Sequence, residues 1–232
     1  MSAHATKQAA TTGTAPLVAL LDDAAAAAAL LEWSSALARS LQRDLALVYV
    51  ESTHSLLAAA LPFARVLAPR GGDWQPLSAG DVEQGFRTHV ARLRQIAERV
   101  ALRDALRWSL RTVRGSLSQA AIDLGADADL MLLAPPPAPG APQRSASARC
   151  PRLVVVAGDE GGAGSRLLAL ATQLAQALSG TVEVARTTPG EALDAQPALV
   201  ASLRRCDLLL IGRAALDAAT LARLRCTVLV VG

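Results

Sequence analysis

Two stretches of this chain carry residues that could do chemistry at the end of a buried strand. The first is Gly158-Asp-Glu-Gly161-Gly162-Ala-Gly164-Ser165, which joins an apolar run to a helical one. Glycines there would let backbone N–H groups approach a phosphate, and the helix start would add a positive dipole. A dinucleotide site of this kind also wants an acidic residue closing the next strand. Val184-Ala185-Arg186 offers none at that strand's end, although Arg186 could suit a 2′-phosphate. The spacing fits no standard fingerprint, so a plain turn with Ser165 near the helix start is the default. The second stretch is Asp22-Asp23, closing the apolar run Leu17–Leu21. Read from the residues alone, Asp22 is a helix N-cap or first-turn acid before Ala24, where the helix dipole favours it.

Other chemistries find little support. No Ser, His and acid fall in a recognisable triad order, and a GxSxG elbow is absent. Cys150, Cys206 and Cys226 form no CxxC pair and are too few to staple a secreted fold. Cys206 and Cys226 each precede an apolar strand and read as small buried residues. His4, His54 and His89 are the only histidines, so no zinc site is expected. Catalysis, metal and cofactor are therefore not expected.

Composition narrows the partners. The net charge is +3, and Lys7 is the only lysine. The arginines spread over helix faces (Arg87, Arg92, Arg94, Arg99, Arg103) rather than clustering beside aromatics, so a solvated face is expected, not a nucleic-acid surface. No apolar run nears the roughly 18 residues needed to cross a bilayer. Residues 1–15 have no charged region followed by a hydrophobic one and read as a flexible tail, so a cytoplasmic protein is expected.

With 52% hydrophobic but only 3% aromatic residues, the core must be built from Leu, Val and Ala. Continuous apolar runs at Leu17–Leu21, Leu45–Val50, Leu130–Leu133, Leu153–Val156, Leu208–Ile211 and Val228–Val231 read as strands buried on both faces. Trp108–Val113 is more mixed and reads as an edge strand. Helical periodicity fills the gaps. Leu30, Trp33, Leu37 and Leu41 share one face within 24–43, and Val90, Leu93, Ile96, Ala97 and Val100 share one within 81–103. Ser116 caps a helix ending at Gly125. Residues 52–80 read as a short helical piece and a Gly/Pro-rich loop. The alternation of strand and helix predicts an α/β fold with parallel sheets.

The halves repeat. PLVALLDD answers RLVVVAGDE, LEWSSALARSLQRDLALVYV answers LALATQLAQALSGTVEVA, and GADADLMLLA answers LRRCDLLLIG. The first half takes 112 residues from Leu17 to Asp129, whereas the second takes 54 from Leu153 to Asp207, so the second lacks a strand–helix segment. PPPAPGAPQRSASAR separates them, and its prolines favour an extended linker. The expected division is thus a tail (1–15), a first module (16–134), a linker (135–150) and a shortened second module (151–232).

The ordered series resembles the universal stress protein family. It runs from the strand with Asp22 through LEWSSALARSL and LALVYVES to RTVRGSLSQAAIDLGADADLMLLA, with CDLLLIGR and RCTVLVVG resembling that family's fourth and fifth strands. The resemblance implies two flavodoxin-like modules and a stress-related role. It also implies an adenosine contact at Asp22 and the strand end near Val50. A G-x2-G-x9-G-(S/T) phosphate loop should then follow the fourth strand. In the first half that loop has become polyproline, which lacks N–H donors. In the second half Gly212 matches the first glycine, but Ala215 takes the second position, and Cys226 follows too soon for the rest.

The expectation is therefore a degenerate, non-catalytic tandem member acting through protein contacts. An ATP- or AMP-binding regulator using Asp22, Val50 and Gly212 is the alternative. A cofactor-binding enzyme using Gly161–Ser165 is the third. Reading Arg152–Val156 as the first strand of the second module leaves the first module with an open sheet edge, which predicts a homodimer.

Overall fold

The computed structural model describes residues 15–23, 26–67, 72–134, 151–157, 162–186, 202–203, 206–215, 221 and 226–232. The expected tail up to residue 14 and the linker 135–150 lie outside the described residues. The strands are β1 (Leu17–Leu21), β2 (Leu45–Ser52), β3 (Arg65–Leu67), β4 (Trp74–Pro76), β5 (Trp108–Gly115), β6 (Leu130–Leu133), β7 (Arg152–Ala157), β8 (Thr181–Arg186), β9 (Leu208–Gly212) and β10 (Thr227–Val231). The helices are α1 (Ala27–Ser40), α2 (Thr53–Ala59), α3 (Ala79–Asp104), α4 (Leu117–Gly125) and α5 (Gly162–Leu178).

Eight strands form one sheet in the order β5-β2-β1-β6-β10-β9-β7-β8. The pairs β5–β2, β2–β1 and β1–β6 are parallel, as are β10–β9, β9–β7 and β7–β8. The single antiparallel join is β6–β10, with Val228 opposite Leu133 and Val231 opposite Leu130. The α/β class and the parallel strands of each half are as the sequence predicts. β5 lies at the sheet edge, as its mixed sequence suggests. β7 sits between β8 and β9, so it is the first strand of the second half.

The open edge expected on the first half is a correction. β10 covers β6 from within the same chain, because its unbroken apolar run is buried on both faces and needs a strand on each side. The edge that motivated a homodimer is therefore occupied.

Alternation along the strands splits the core into two layers. Leu17, Ala19, Leu21, Leu132, Leu153, Val155, Leu208, Leu210 and Leu229 face α1, α3 and α5. Val18, Leu20, Val48, Met131, Val154, Leu209 and Val230 face the opposite side, where Ala121 of α4, Cys206 and Cys226 join them. Trp33 and Leu37 of α1 are buried, as their helical spacing requires. Arg103, on the expected solvated face and half exposed, forks onto Glu32 with two 2.9 Å bonds and ties α3 to α1.

Helix ends follow their capping residues. Ser116 accepts from the Gln119 amide at the start of α4. Ser78 and Asp81 form a reciprocal capping box at the start of α3. After α5 the chain turns through Ser179 at φ 53°. A Cβ on Gly180 would lie 2.6 Å from the Pro151 carbonyl oxygen, so only glycine lets the turn approach β7 this closely. The expected loop in 52–80 contains a small antiparallel hairpin instead: β3 pairs with β4, with Val66 opposite Gln75. Three-residue strands are too short to show a period in the sequence.

Candidate functional site

In an open parallel sheet, ligands bind outside the carboxyl ends of the strands, where the strand order reverses. In the first half that place lies between β1 and β6, and Asp22 stands at the end of β1. The Ala134 amide donates to the Leu20 carbonyl at 3.0 Å, closing the main chain beside it. Asp22 is not the helix cap that its position suggests. The N-cap of α1 is Ala26, with no side-chain bond, and no acid lies in the first turn. Asp22 is instead a half-buried carboxyl whose pKa is raised, chiefly by burial and also by Asp23, against a bond from its own backbone.

Stability should therefore fall as pH rises from the ordinary carboxylate value through the raised one, because the folded state holds its proton longer than the unfolded state does. Replacing Asp22 by Asn should raise the melting temperature at pH 7 and leave it unchanged near pH 3. An equal shift at both pH values would contradict this account.

Val50 is fully buried on β2 and has no polar side-chain group to offer. Its neighbour Tyr49 is the residue that sequence reasoning missed. Tyr49 pairs with Leu21 across β1–β2 and is fully buried. Its hydroxyl lies 3.0 Å from His89 Nδ1, on α3. Burial first, then the carboxylates of Asp22, Asp23 and Glu51, push the phenol pKa up. A signal existed: this is the chain's only tyrosine. A hydroxyl in a buried apolar strand must find a polar partner.

Close by, Glu51, Glu83, Phe86, Arg87 and Arg114 line a cleft of about 60 Å³, room for a few waters and too small for a nucleotide. Arg114 bonds Glu51 at 2.9 Å and approaches Glu83 at 3.6 Å, so its charges are already paired.

Gly212 lies elsewhere. It pairs with Val231, Val231 faces Leu130, and β6 and β1 run parallel with Val18 beside Met131. Gly212 is therefore level with the start of β1, whereas Asp22 follows its end. At about 3.3 Å per residue the two lie some 16 Å apart along the strand direction, with β6 and β10 between β1 and β9. The antiparallel join turns the carboxyl ends of the second half away from those of the first. Asp22 and Val50 sit on neighbouring strands, but Gly212 cannot complete their site. A 3-10 turn, Arg213–Ala215, follows Gly212 directly.

Residues 158–161 of the glycine-rich turn lie outside the described residues. Gly162 begins α5 and Ser165 is exposed. The nearest described charge, Arg166, is committed to the join between the halves. It bonds Asp129 at 2.5 Å and the Gly232 carbonyl at 2.9 Å. Asp129 also accepts from Arg43 at 2.6 Å. Burial would raise the Asp129 pKa, but the hydrogen bonds and charges of Arg43 and Arg166 together hold it below the ordinary value. Arg213 adds bonds to the carbonyls of Ala126 and Ala128. This cluster fastens the two halves together.

No group of three or more His, Cys, Asp or Glu side chains able to hold a metal occurs among the described residues. No described helix is long and apolar enough to cross a membrane.

No family model matches the chain. No curated protein matches it. Among solved structures, the chain is similar to a universal stress protein from Archaeoglobus fulgidus DSM 4304. The match has a TM-score of 0.48 at 8% identity and covers 94% of this chain and 96% of that one.

Proposed function

We propose that this chain is a non-catalytic protein of the universal stress protein type, acting in stress adaptation through protein contacts. The reading rests on the ordered sequence series and is carried by one observation. The residues that could have served a nucleotide are divided between opposite ends of the sheet, Asp22 at one and Gly212 at the other. The chain after β6 enters a proline-rich stretch with few N–H donors for phosphates.

A contact surface supports the same reading. Leu57 of α2, Leu61 and Phe63 of the connection that follows it, and Val66, Leu67 and Trp74 of the β3–β4 hairpin are exposed, Phe63 at 75% and Trp74 at 63%. A lone two-stranded hairpin is marginal in water and gains most from being covered. We place the expected homodimer contact there rather than at a sheet edge. Sedimentation at about 100 μM should show a dimer that a Phe63→Ser, Trp74→Ser variant loses; a monomeric parent chain would rule the contact out.

The second reading, an ATP- or AMP-binding regulator, is favoured by the half-buried carboxyl of Asp22 at the strand-order reversal. Calorimetry with ATP, AMP and NADP separates the readings. The expected result is no heat at millimolar ligand. Binding of ATP or AMP that disappears in Asp22→Ala would replace the first reading with the second. NADP binding abolished by Gly162→Val would point to the glycine-rich turn.

A further inference from the structure

Cys206 and Cys226 lie far apart in sequence but together in the fold. Cys206 directly precedes the Asp207 that leads into β9, and Cys226 directly precedes β10. Those strands are parallel neighbours in which Thr227 stands opposite Leu208. Extending that register by one residue sets Cys226 opposite Asp207, one step from Cys206. A strand spacing near 4.8 Å and a rise near 3.3 Å put the two Cα atoms about 6 Å apart. Disulfides bridge Cα separations of roughly 4.4–6.8 Å. The Cys206 amide bonds the Leu203 carbonyl at 3.3 Å, and the Cys206 side chain lies in the same layer as Cys226. Both thiols are free and buried, 3% and 7% exposed, among Val154, Leu209 and Val228.

We propose that Cys206 and Cys226 are a reversible disulfide site that fastens β10, the strand joining the two halves, to β9. The oxidant is hydrogen peroxide. One thiol, reacting as thiolate, attacks the peroxide; the O–O bond breaks, and a sulfenic acid and one water result. The second thiol then attacks that sulfur, the S–S bond forms, and a second water leaves. The two sulfurs together lose two electrons and the peroxide gains two. A dithiol reductant reverses the step.

The surroundings set the rate. The two thiols are within hydrogen-bonding reach of each other; that contact first, then burial, pushes the Cys206 thiol up and disfavours its thiolate. Oxidation therefore waits on local opening at the ends of β9 and β10. The site responds to sustained rather than brief peroxide. The bridge closes a ring of roughly 20 residues and restrains the unfolded chain.

Trypsin makes the test direct. Cleavage after Arg205 and Arg225 releases Cys206–Arg213 and Cys226–Gly232, and cleavage after Arg149 and Arg152 places Cys150 in a third peptide. After hours in millimolar peroxide, the full chain should yield the first two peptides joined, at the sum of their masses less two hydrogens. The oxidised chain should melt about 5 °C or more above the reduced one, with dithiothreitol reversing the shift. A Cys226→Ser variant should show neither effect, and the mapping of the parent chain decides the matter even if that variant fails to fold. Both peptides recovered as free thiols, Cys206 recovered only as a sulfinic or sulfonic acid, or linkage only through Cys150 would each overturn the proposal.

Discussion

Leu229→Ala should destabilise both halves of the protein by about 2–5 kcal/mol, the usual cost of emptying a buried leucine site. Leu229 is fully buried in β10, opposite Leu132 of the first half and beside Leu210 of the second. The readouts separate themselves. Trp33, Trp74 and Trp108 all belong to the first half, so tryptophan fluorescence reports that half alone, while far-ultraviolet circular dichroism reports both. A shared sheet predicts that the two denaturation midpoints fall together, although the substitution lies in the second half. If the fluorescence midpoint stayed in place while the dichroism midpoint fell, the halves would be unfolding independently and the β6–β10 join would contribute little. The experiment thus measures the join itself, which nothing in the sequence of either half announces.

Asp129→Asn should cost about 1–3 kcal/mol at pH 7, because it removes the charge shared by Arg43 and Arg166. The Arg43 side chain is only 11% exposed, so losing its partner leaves a poorly hydrated cation. The pH dependence has a fixed sign. The carboxyl is held below its ordinary value in the folded state, so its contribution is fully present above that value. It is lost as pH falls through the lowered one. The gap between parent and variant in urea denaturation should therefore be full at pH 7 and should narrow as acid protonates Asp129. A gap that held constant into strong acid would mean that the asparagine perturbs packing rather than charge. High salt should shrink the effect only in part, since the Asp129 side chain is 29% exposed.

How much of this was legible beforehand depended on the range of the signal. Buried strands such as Leu130–Leu133 and Val228–Val231 are written as unbroken apolar runs, because a strand covered on both faces has no polar side to show. Helices α1 and α3 show their inward faces through 3.6-residue spacing. The edge position of Trp108–Gly115 is visible in its mixed pattern. The β3–β4 hairpin was not legible, since six exposed residues carry no periodic signal. At the candidate site, Asp22 could be found because it closes a strand. Its environment could not, because Tyr49 and His89 are 40 residues apart and meet only when α3 packs on β2.

By itself the sequence determined the α/β class and the buried Leu/Val/Ala layers. Both are local chemistry: the periodicity of apolar side chains and their affinity for water. Only the tertiary structure decided that β10 runs antiparallel to β6, and three results follow from that one choice. The expected open edge is filled. Gly212 is carried to the far end of the sheet from Asp22. Asp129 is brought between two arginines from different halves. The physical reason is that an apolar strand buries the same surface whichever way its neighbour runs. Direction is selected by what the rest of the chain can pack against it.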